Sequence, residues 1–583
     1  MAAVSDSRGR RRRRWLIATG VIVVVAVWGG VLAAKTFSAY RHDKQGLAAL
    51  ELVKSDLTPG ELTSSGSLHR LEVARAEFAA AQSDLSSPLF APVTVVPVVG
   101  RQFRSVRALS IAAGTVSAVG ASFLTEVHGV LDEPHGAGPD RVASLRRLSA
   151  LSFSAQAQLA RIDTGPSQAL VGPLAAKHTE FVSQLDTARR RLATAAGVSA
   201  VTATILQGPQ TYLVMAANNA EMRAGSGAFL EVGVATTGDG SVHLGDLAPS
   251  GDMTLPAGAV TVTGDLERNW GWLEPGVDWR NLGLTPQFDV NAPLAARMWT
   301  ASTGQQVNGV LALDVAGVQQ LLEATGPVEA GGQTVSADNV ERYLLHDQYA
   351  GLTDNSAAAG RQDALGALAS AVLRQLQGQS ADLRSLGNAV ASAVAGRHLM
   401  LWSSNSVDQA AWVASGVSGS LTPHSVDVAV INRGGNKLDQ YLPVRVAVST
   451  EPAGSGTAVT LTTHLANTTP DGESQFIAGP YPGVPVEYGG YSGLVAANLP
   501  AGATDITMTG AGPLSARSGE GPTWLVAAPI TIPQGASATV VVRFRLPGAH
   551  GSMTVVPSAR IPAEQWTFAG ETFADTATKN ITW

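Results

Sequence analysis

The chain has 583 residues, of which 45% are hydrophobic and 15% are charged, and its formal net charge is −6. This length allows roughly two to four domains with at least one sizeable core, and the low charged fraction argues against a long, highly charged disordered tail. The sequence contains no cysteine, which excludes disulfides, thiol nucleophiles, thiolate metal sites and a lipid-modified amino-terminal cysteine.

The amino terminus carries a membrane-targeting pattern. Arg8 and five consecutive arginines at 10–14 precede an uncharged apolar stretch at 15–34. Twenty such residues match the length that crosses a hydrocarbon core of about 30 Å, and the arginines favour a cytoplasmic amino end. A cleaved signal peptide is the alternative, but its apolar region is normally about 7–15 residues. We therefore predict a cytoplasmic basic tail (1–14), one uncleaved plasma-membrane helix (15–34) and an extracytoplasmic remainder.

The charges after the predicted anchor are net acidic. Once the six arginines before residue 15 are set aside, acidic residues clearly outnumber basic ones. Non-specific nucleic-acid binding depends on a basic surface, so no nucleic-acid partner is expected.

Residues 40–200 have helical periodicity. Apolar residues recur at intervals of three, four or seven, and the stripes are Leu71/Ala74/Phe78/Ala81/Leu85, Leu145/Leu148/Leu151/Ala155/Leu159 and Leu170/Leu174/Phe181/Leu185/Leu192. Pro92 and Pro97 separate the first helix from the next. The pattern predicts an extracytoplasmic antiparallel helical bundle that serves as a stalk. A membrane-surface amphipathic helix fits less well, because the polar faces are not rich in lysine.

Strands and helices alternate over residues 205–442, which is typical of an α/β layer fold. Strands are predicted at 310–314 and 427–431, and helices at 318–324, 339–348 and 361–376. The stretch from Tyr212 to Val234 is central: an apolar strand ending at Met215, a polar turn, then an alternating strand. Gly225 and Gly227 permit positive φ or a close approach, and Thr237-Gly-Asp-Gly240 predicts a hairpin turn.

The polar turn contains the first candidate site. Asn218, Asn219, Glu221 and Arg223 lie within six residues, at the predicted end of a strand. A cation, a carboxylate and two amides suit ligand binding, although polar turns between strands are also common without any function.

After about residue 443 the periodicity changes to two. Strands are predicted at 458–464, 530–532, 538–545 and 553–556, with Pro and Gly turns between them. We predict a carboxyl-terminal antiparallel β-sandwich over residues 443–583.

Asn218-Asn-Ala-Glu-Met-Arg-Ala-Gly-Ser-Gly-Ala-Phe229 resembles the domain of unknown function 4012, a family of bacterial envelope proteins. Further stretches fit the same family in order along the chain: Ser87–Phe90, Pro97–Arg101, Asn308–Asp314, Thr325–Val328 and Asn432–Tyr441. The resemblance covers roughly residues 80–580. It implies a cell-envelope protein.

The α/β part is more distantly similar to the LytR–CpsA–Psr family, which transfers polyprenyl-pyrophosphate-linked glycans to the cell wall. Glu221-Met-Arg223 falls where that family has Asp-x-Arg, and Gly360-Arg-Gln-Asp363 falls at its second arginine motif. The resemblance implies an α/β/α domain, catalytic Arg223 and Arg361, and a metal such as Mg²⁺ held by Glu221 or Asp363. Guanidinium groups pair well with phosphate oxygens, and carboxylates bind hard cations.

A second polar cluster follows the strand at 427–431. Asn432, Asn436, Lys437 and Asp439 are either parts of a turn bent by Gly434-Gly435 or a wall of the same pocket. Three tryptophans, Trp270, Trp272 and Trp279, either stack on sugar rings or pack in the interior, and the general behaviour of tryptophan favours packing.

Two functions stay open. The first is a non-catalytic protein of envelope assembly that binds an anionic lipid-linked glycan or cell-wall polymer. The second is a glycopolymer phosphotransferase with Mg²⁺. Two arginines neutralise less of a pyrophosphate than a full arginine set, each charge-assisted bond contributing about 1.5–3 kcal/mol, and this favours the first.

Overall fold

The computed structural model describes residues 6–55, 65–133, 138–350, 352, 363–378 and 382–583, and the side chains of 6–25, 54–55, 65, 363–365 and 377–378 lie outside the description. The fold is mixed α/β, as predicted. The chain divides into two compact units, one formed by residues 1–133 and 147–197 and the other by 134–146 and 198–583.

Long helices build the first unit. The helices of six or more residues between the amino terminus and residue 207 are α1 Asp6–Ser55, α2 Ser65–Leu85, α3 Val99–Asp132, α4 Pro139–Ala160 and α5 Gly172–Gln207. The predicted stripe on α2 is buried in full, from Leu71 to Leu85. It packs against small residues of α1 and α3, including Ala39, Ala49 and Ala113, so the many alanines allow close helix packing.

The predicted anchor, residues 15–34, lies within the continuous helix α1, whose side chains are described from Ala26 onward. Within the described part of the chain, a different helix is long and apolar enough to cross a membrane, α3. One face of α3, including Ala112 and Leu124, is buried in the bundle. A helix of this composition is compatible with membrane association and is also found in the cores of proteins.

The second unit begins with a six-stranded sheet. Its strands are β1 Gln210–Met222, β2 Gly227–Gly238, β3 Ser241–Leu244, β4 Ala248–Pro249, β5 Gly309–Asp314 and β8 Leu399–Ser403. The order is β3-β2-β1-β5-β8, with β4 paired to β2. Only the β1–β5 pairing is parallel, so this sheet is mostly antiparallel.

The remaining helices of six or more residues lie between or after the strands of this sheet along the chain. They are α6 Gly264–Trp270, α7 Phe288–Thr303, α8 Val315–Thr325, α9 Val340–Leu345, α10 Asp363–Gly378, α11 Leu383–Ala395 and α12 Ser406–Ser415. A small hairpin, β6 Val328–Ala330 and β7 Gln333–Val335, follows α8. Trp270 and Trp279 are fully buried in the core with Phe288, which is the packing role predicted for them, whereas Trp272 is 57% exposed.

The central stretch differs from its prediction at one point. The strand does not end at Met215: β1 continues to Met222, through Asn218, Asn219 and Glu221. Irregular pairing at Ala216/Ala217 and beyond Asn218 bends the strand there. Polar residues in a strand look like a turn in sequence, and here bulges and buried partners keep them in the sheet. The Asp239-Gly240 hairpin is confirmed, with φ of 49° and 79°.

Two further six-stranded sheets form the carboxyl-terminal part. Their strands are β9 Ser425–Asn432, β10 Val444–Ala453, β11 Gly456–Ala466, β12 Tyr491–Leu499, β13 Thr504–Thr509, β14 Ala516–Glu520, β15 Thr523–Ile532, β16 Ser537–Pro547, β17 Ser552–Val555, β18 Gln565–Phe568, β19 Glu571–Ala574 and β20 Lys579–Thr582. The orders are β13-β16-β11-β10-β18-β19 and β14-β15-β12-β9-β17-β20.

Both sheets contribute to one core, which contains Val428, Leu461, Phe544 and Trp566. The prediction of antiparallel pairing holds for most strand pairs and is wrong for two, since β10 pairs with β18 and β9 with β17 in parallel. Strand β9 precedes residue 443 and pairs with β12 as well. Its eight residues are buried on both faces, which is why its sequence looks like an α/β strand.

Candidate functional site

A cavity of about 710 Å³ lies in the second unit, beside the carboxyl end of β1. It is lined by Ala217, Asn218, Glu221, Leu230, Glu231, Pro249, Ser250, Gly251, Asp252, Arg280, Val315, Leu344, Gln348, Tyr349, Gly435, Lys437, Gln475, Phe476, Gly479, Pro480, Tyr481 and Pro482. The size is that of a small-molecule or oligosaccharide site. Three predicted binding residues, Asn218, Glu221 and Lys437, therefore share one wall, although 216 positions separate the last two.

Lys437 is the most connected group of this wall. Its ammonium donates a hydrogen bond to Glu221 and lies 4.3 Å from the ring centroid of Tyr349 and 5.3 Å from that of Phe476. The two rings stack with centroids 5.4 Å apart. The lysine thus combines an ion pair with cation–π contacts, and only 4% of its side chain is exposed.

Short local structures hold these groups in place. Ser474 caps the helical turn Gln475–Ala478, and its hydroxyl also donates to the carbonyl of Tyr349 at 3.1 Å. The backbone N–H of Lys437 donates to Ile477 in that turn at 2.9 Å. Gly435 has a φ of 60°, and a Cβ there would lie 2.7 Å from that of Tyr481. A glycine is required at that position for Tyr481 to reach the cavity.

The carboxylate of Glu221 is ionised in this setting. Burial opposes its charge, but the attraction and hydrogen bond of Lys437 outweigh burial and lower the pKa of Glu221. Asn218 extends the wall by donating to the Tyr349 hydroxyl at 2.8 Å, and its own oxygen accepts from the N–H of Ala220 at 2.8 Å.

Arg280 is the second cation of the lining. Its guanidinium makes a bidentate contact with Asp278, with Nε 3.0 Å from Oδ1 and Nη2 2.6 Å from Oδ2. The hydrogen bond to Asp278 raises the pKa of Arg280, and the same contact overcomes burial to lower the pKa of Asp278. Both cations of the wall are therefore engaged with carboxylates.

Arg223 occupies a different place from the one predicted. It is 7% exposed and does not line the cavity. Its guanidinium donates to three backbone carbonyls, those of Arg280 at 2.7 Å, Met222 at 3.0 Å and Asn432 at 3.1 Å. Burial lowers the pKa of Arg223, and Glu221 and Asp439 oppose that effect. These bonds tie the β1–β2 turn to β9 and leave Arg223 pointing into the protein.

Asn219 is likewise buried behind the wall. Its amide donates to Asp314 and to the carbonyl of Ala559, each at 2.8 Å, and its oxygen accepts from the N–H of Val315 at 3.1 Å. The carboxylate of Asp314 also lies within hydrogen-bonding distance of His398 Nδ1, at 2.9 Å. Asn219 thus has a structural role, because all its hydrogen-bonding groups are used inside the protein.

Asn436 and Asp439 support the wall from within. Asp439 accepts bonds from the N–H of Met222 at 2.9 Å and from Asn432 at 2.8 Å, and it pairs with Arg560 at 3.0 Å. Asn436 accepts from Asn432 and donates to the carbonyl of Gly490. Both interpretations of this cluster apply: Asn436 and Asp439 stabilise the turn, and Lys437 and Gly435 line the cavity.

The second arginine motif, residues 360–363, lies outside the described side chains. Arg361 lies outside the described residues, and Asp363 begins α10 without a described side chain. The surroundings of Glu221 do not suit a Mg²⁺ ion, because the Glu221 carboxylate that would bind the ion is already paired with the Lys437 ammonium. Over the described ranges, no three His, Asp or Glu side chains converge to hold a metal.

Sequence reasoning missed Arg280, Tyr349, Phe476 and Tyr481, which form much of the lining. None follows a strand end or belongs to a charged motif. The available signal was Gly479-Pro-Tyr-Pro482, a turn-forming stretch with an aromatic residue between two prolines, next to Phe476.

Comparison with known proteins gives one match. A family model described as a protein of unknown function (DUF4012) matches residues 207–349, which contain β1, β2 and the wall residues Asn218, Glu221 and Tyr349. This range is shorter than the 80–580 expected, and the more distant similarity to the LytR–CpsA–Psr family stays a prediction. No curated protein and no solved structure matches the chain significantly. Residues 207–349 of this chain are a domain of the DUF4012 family.

Proposed function

We propose that the protein is a single-pass, membrane-anchored protein of the bacterial cell envelope that binds a glycan in the cavity beside β1 and does not transfer it. The anchor is the apolar stretch 15–34 within α1, with the arginine-rich tail in the cytoplasm and the cavity outside.

The observation that carries this proposal is the chemistry of the lining. Tyr481 is 49% exposed, so its ring is accessible to a sugar, and beside it Phe476 is half-buried with its ring stacked on Tyr349. Asn218, Gln348 and Gln475 supply amides that both donate and accept hydrogen bonds, and each of them gives one N–H bond to a protein acceptor. Sugar hydroxyls need that combination, in which rings contact the apolar face of the sugar and polar groups bind its edge.

The charges of the lining favour binding over phosphoryl transfer. A pyrophosphate requires cations that are free to approach it, whereas Lys437 is paired with Glu221 and Arg280 with Asp278. The guanidinium of Arg223, the predicted catalytic residue, donates its hydrogen bonds to backbone carbonyls. An anionic lipid-linked glycan would have to compete with these carboxylates, so we expect the sugar part to provide most of the affinity.

The test is direct binding to the full-length protein in detergent. Purified bacterial envelope polysaccharides and polyprenyl-pyrophosphate-linked sugars are titrated by calorimetry, with sugar-free polyprenyl pyrophosphate as a third arm. Tyr481→Ala and Phe476→Ala should each weaken glycan binding by about two- to tenfold, since loss of one stacking contact costs about 0.5–1.5 kcal/mol. Trp272→Ala is the matched control, because Trp272 is exposed and lies outside the lining.

The transferase alternative is tested in the same preparation. With Mg²⁺, a polyprenyl-pyrophosphate-linked sugar and a cell-wall acceptor, transfer of the sugar phosphate to the acceptor with release of polyprenyl monophosphate, lost in Arg361→Ala, would replace glycan binding by transfer as the function. Sugar-free polyprenyl pyrophosphate binding as tightly as the glycans would also contradict the proposal.

A further inference from the structure

An uncharged segment between α2 and α3 exposes an unusual amount of apolar surface. This apolar loop, residues 88–99, runs through the short helical turns Pro88–Phe90 and Ala91–Thr94 to the first residue of α3, and its sequence is Pro-Leu-Phe-Ala-Pro-Val-Thr-Val-Val-Pro-Val-Val. Val95 is 79% exposed and Val98 68%, and Leu89, Val96 and Val99 are exposed as well. Soluble surfaces rarely carry so many adjacent exposed apolar side chains without a partner.

The apolar loop is rigidly held on the bundle. The ring of Phe90 is buried and stacks on Phe103 of α3, with centroids 4.6 Å apart. Gly100 ends the loop where a Cβ would lie 2.4 Å from the carbonyl oxygen of Thr94. The exposed valines are therefore presented by a fixed structure.

Contacts between α1 and α2 place the loop beside the predicted anchor. The two helices run antiparallel, and His42 meets Glu77 at 2.7 Å and Lys35 meets Asp84 at 3.1 Å. Continuing in the same direction, the indole N–H of Trp28 donates to the carbonyl of Leu89 at 3.1 Å. Trp28 lies about 10 Å along the helix from Lys35, towards the middle of the 15–34 stretch. The loop thus lies at the depth of the last turns of the apolar stretch.

Basic residues follow the apolar loop at once. Arg101, Arg104 and Arg107 occupy the first turns of α3, and each donates to a neutral oxygen: the carbonyl of Gln168 at 3.4 Å, that of Thr94 at 2.5 Å and the hydroxyl of Ser86 at 3.4 Å. Apolar residues next to arginines are typical of a surface that enters the acyl region while the guanidinium groups meet lipid phosphates.

We propose that the apolar loop is a second membrane contact, inserted into the outer leaflet of the bilayer beside the 15–34 helix, with Arg101, Arg104 and Arg107 at the headgroup phosphates. The inference rests on the anchor in the proposed function and is independent of glycan binding. A lipid partner is favoured over a protein because the loop continues the surface of the apolar helix at the same depth. Insertion at two points would fix the tilt of the α1–α3 bundle on the membrane.

The absence of native cysteine permits a clean depth measurement. Single cysteines at Val95, Val98, Val27, Val73 and Thr115 of the full-length protein are labelled with an environment-sensitive fluorophore. The variants are reconstituted into phosphatidylcholine–phosphatidylglycerol vesicles with or without lipids that carry a nitroxide in the acyl chain. All five residues are exposed, so labelling should not disturb packing.

We expect nitroxide lipids to reduce the fluorescence at Val95→Cys and Val98→Cys about twofold, as at Val27→Cys in the anchor, and to leave Val73→Cys on α2 and Thr115→Cys on α3 unchanged. Quenching at Val27→Cys without quenching at the loop would overturn the inference and leave the anchor intact. Quenching at Thr115→Cys would also overturn it, because α3 itself would then cross the bilayer. No quenching at any position would remove both the loop insertion and the anchor.

Discussion

Lys437 and Glu221 show how one pair of residues shapes the cavity. The ammonium and the carboxylate come from distant parts of the chain, and the lysine is almost fully buried. Breaking a buried pair from one side leaves an uncompensated charge, which is more costly than never having formed the pair. The pair therefore stabilises this wall, and a ligand that binds either charge must compete with the other member of the pair.

We expect Glu221→Gln to destabilise the protein by about 3 kcal/mol, because Lys437 keeps its charge and loses its carboxylate. The double variant Glu221→Gln/Lys437→Met should recover much of this loss. Thermal unfolding of the wild type and the two variants measures both effects. A double variant less stable than Glu221→Gln alone would contradict the ion-pair account.

The pH dependence of the same pair has a defined sign. The folded-state pKa of Glu221 lies below its ordinary value of 4.5, so the stabilisation is complete above pH 4.5 and is lost as the pH falls through the folded value. The melting temperatures of wild type and Glu221→Gln should therefore converge below pH 4.5. A constant difference down to acid pH would show that Glu221 does not act through its charge.

The contribution of Asp427 to stability changes with pH in the opposite direction. Its two carboxyl oxygens are buried without a hydrogen-bond partner among the described residues. Burial raises the pKa of Asp427 to about 8; the negative charges of Asp575 and Glu520 add to this increase, and the attraction of Arg397 opposes it. The folded protein holds this proton while the unfolded chain loses it near 3.8, so its contribution weakens as the pH rises from about 4 to about 8. Asp427→Asn should raise the melting temperature at pH 8 more than at pH 4. An equal change at both values would contradict a protonated Asp427.

At the scale of elements, the β1–β2 hairpin positions Asn218 and Glu221. Gly227 makes the close approach predicted from sequence, since a Cβ there would lie 2.1 Å from the carbonyl oxygen of Asn218. We expect Gly227→Ala to cost about 1–3 kcal/mol through this backbone collision. Gly238→Ala, in the same strand with open space around it, is the control. Equal thermal stability of the two variants would show that the hairpin tolerates the added methyl group.

Periodicity and turn chemistry predicted several of the elements. The apolar stripe of α2, the strand β5 and the Asp239-Gly240 hairpin follow from local spacing, which the fold preserves. The extension of β1 through its polar residues could not be predicted, because it depends on partners far along the chain, such as Asp314 and Asp439. Local pattern does not contain that information.

The same limit applies to the candidate site. Strand-end reasoning identified Asn218 and Glu221, and the second polar cluster identified Lys437. Charge alone also suggested Arg223 for the cavity, but burial and three carbonyl acceptors turn it into the protein. Aromatic residues of the lining are indistinguishable from core residues in sequence until the fold shows which of them remain accessible.

At the scale of the whole molecule, the cavity is assembled from the first sheet, the loop around Arg280, helix α9 and the two turns at 435–437 and 475–482. The family match at 207–349 covers only part of this wall, and Lys437, Phe476 and Tyr481 lie beyond it. The full second unit is therefore needed for the proposed binding, and a fragment limited to residues 207–349 should not bind glycans.

The central claim is that a glycan occupies this cavity, and a cysteine footprint tests it most directly. Gln475→Cys places the only thiol of the full-length protein at an exposed position of the lining, and Trp272→Cys places it at an exposed position outside. The rate of maleimide labelling is measured with and without a saturating envelope glycan identified by calorimetry. The account predicts labelling at 475 about tenfold slower with the glycan and unchanged labelling at 272. Equal rates at 475, or protection at 272 alone, would contradict it.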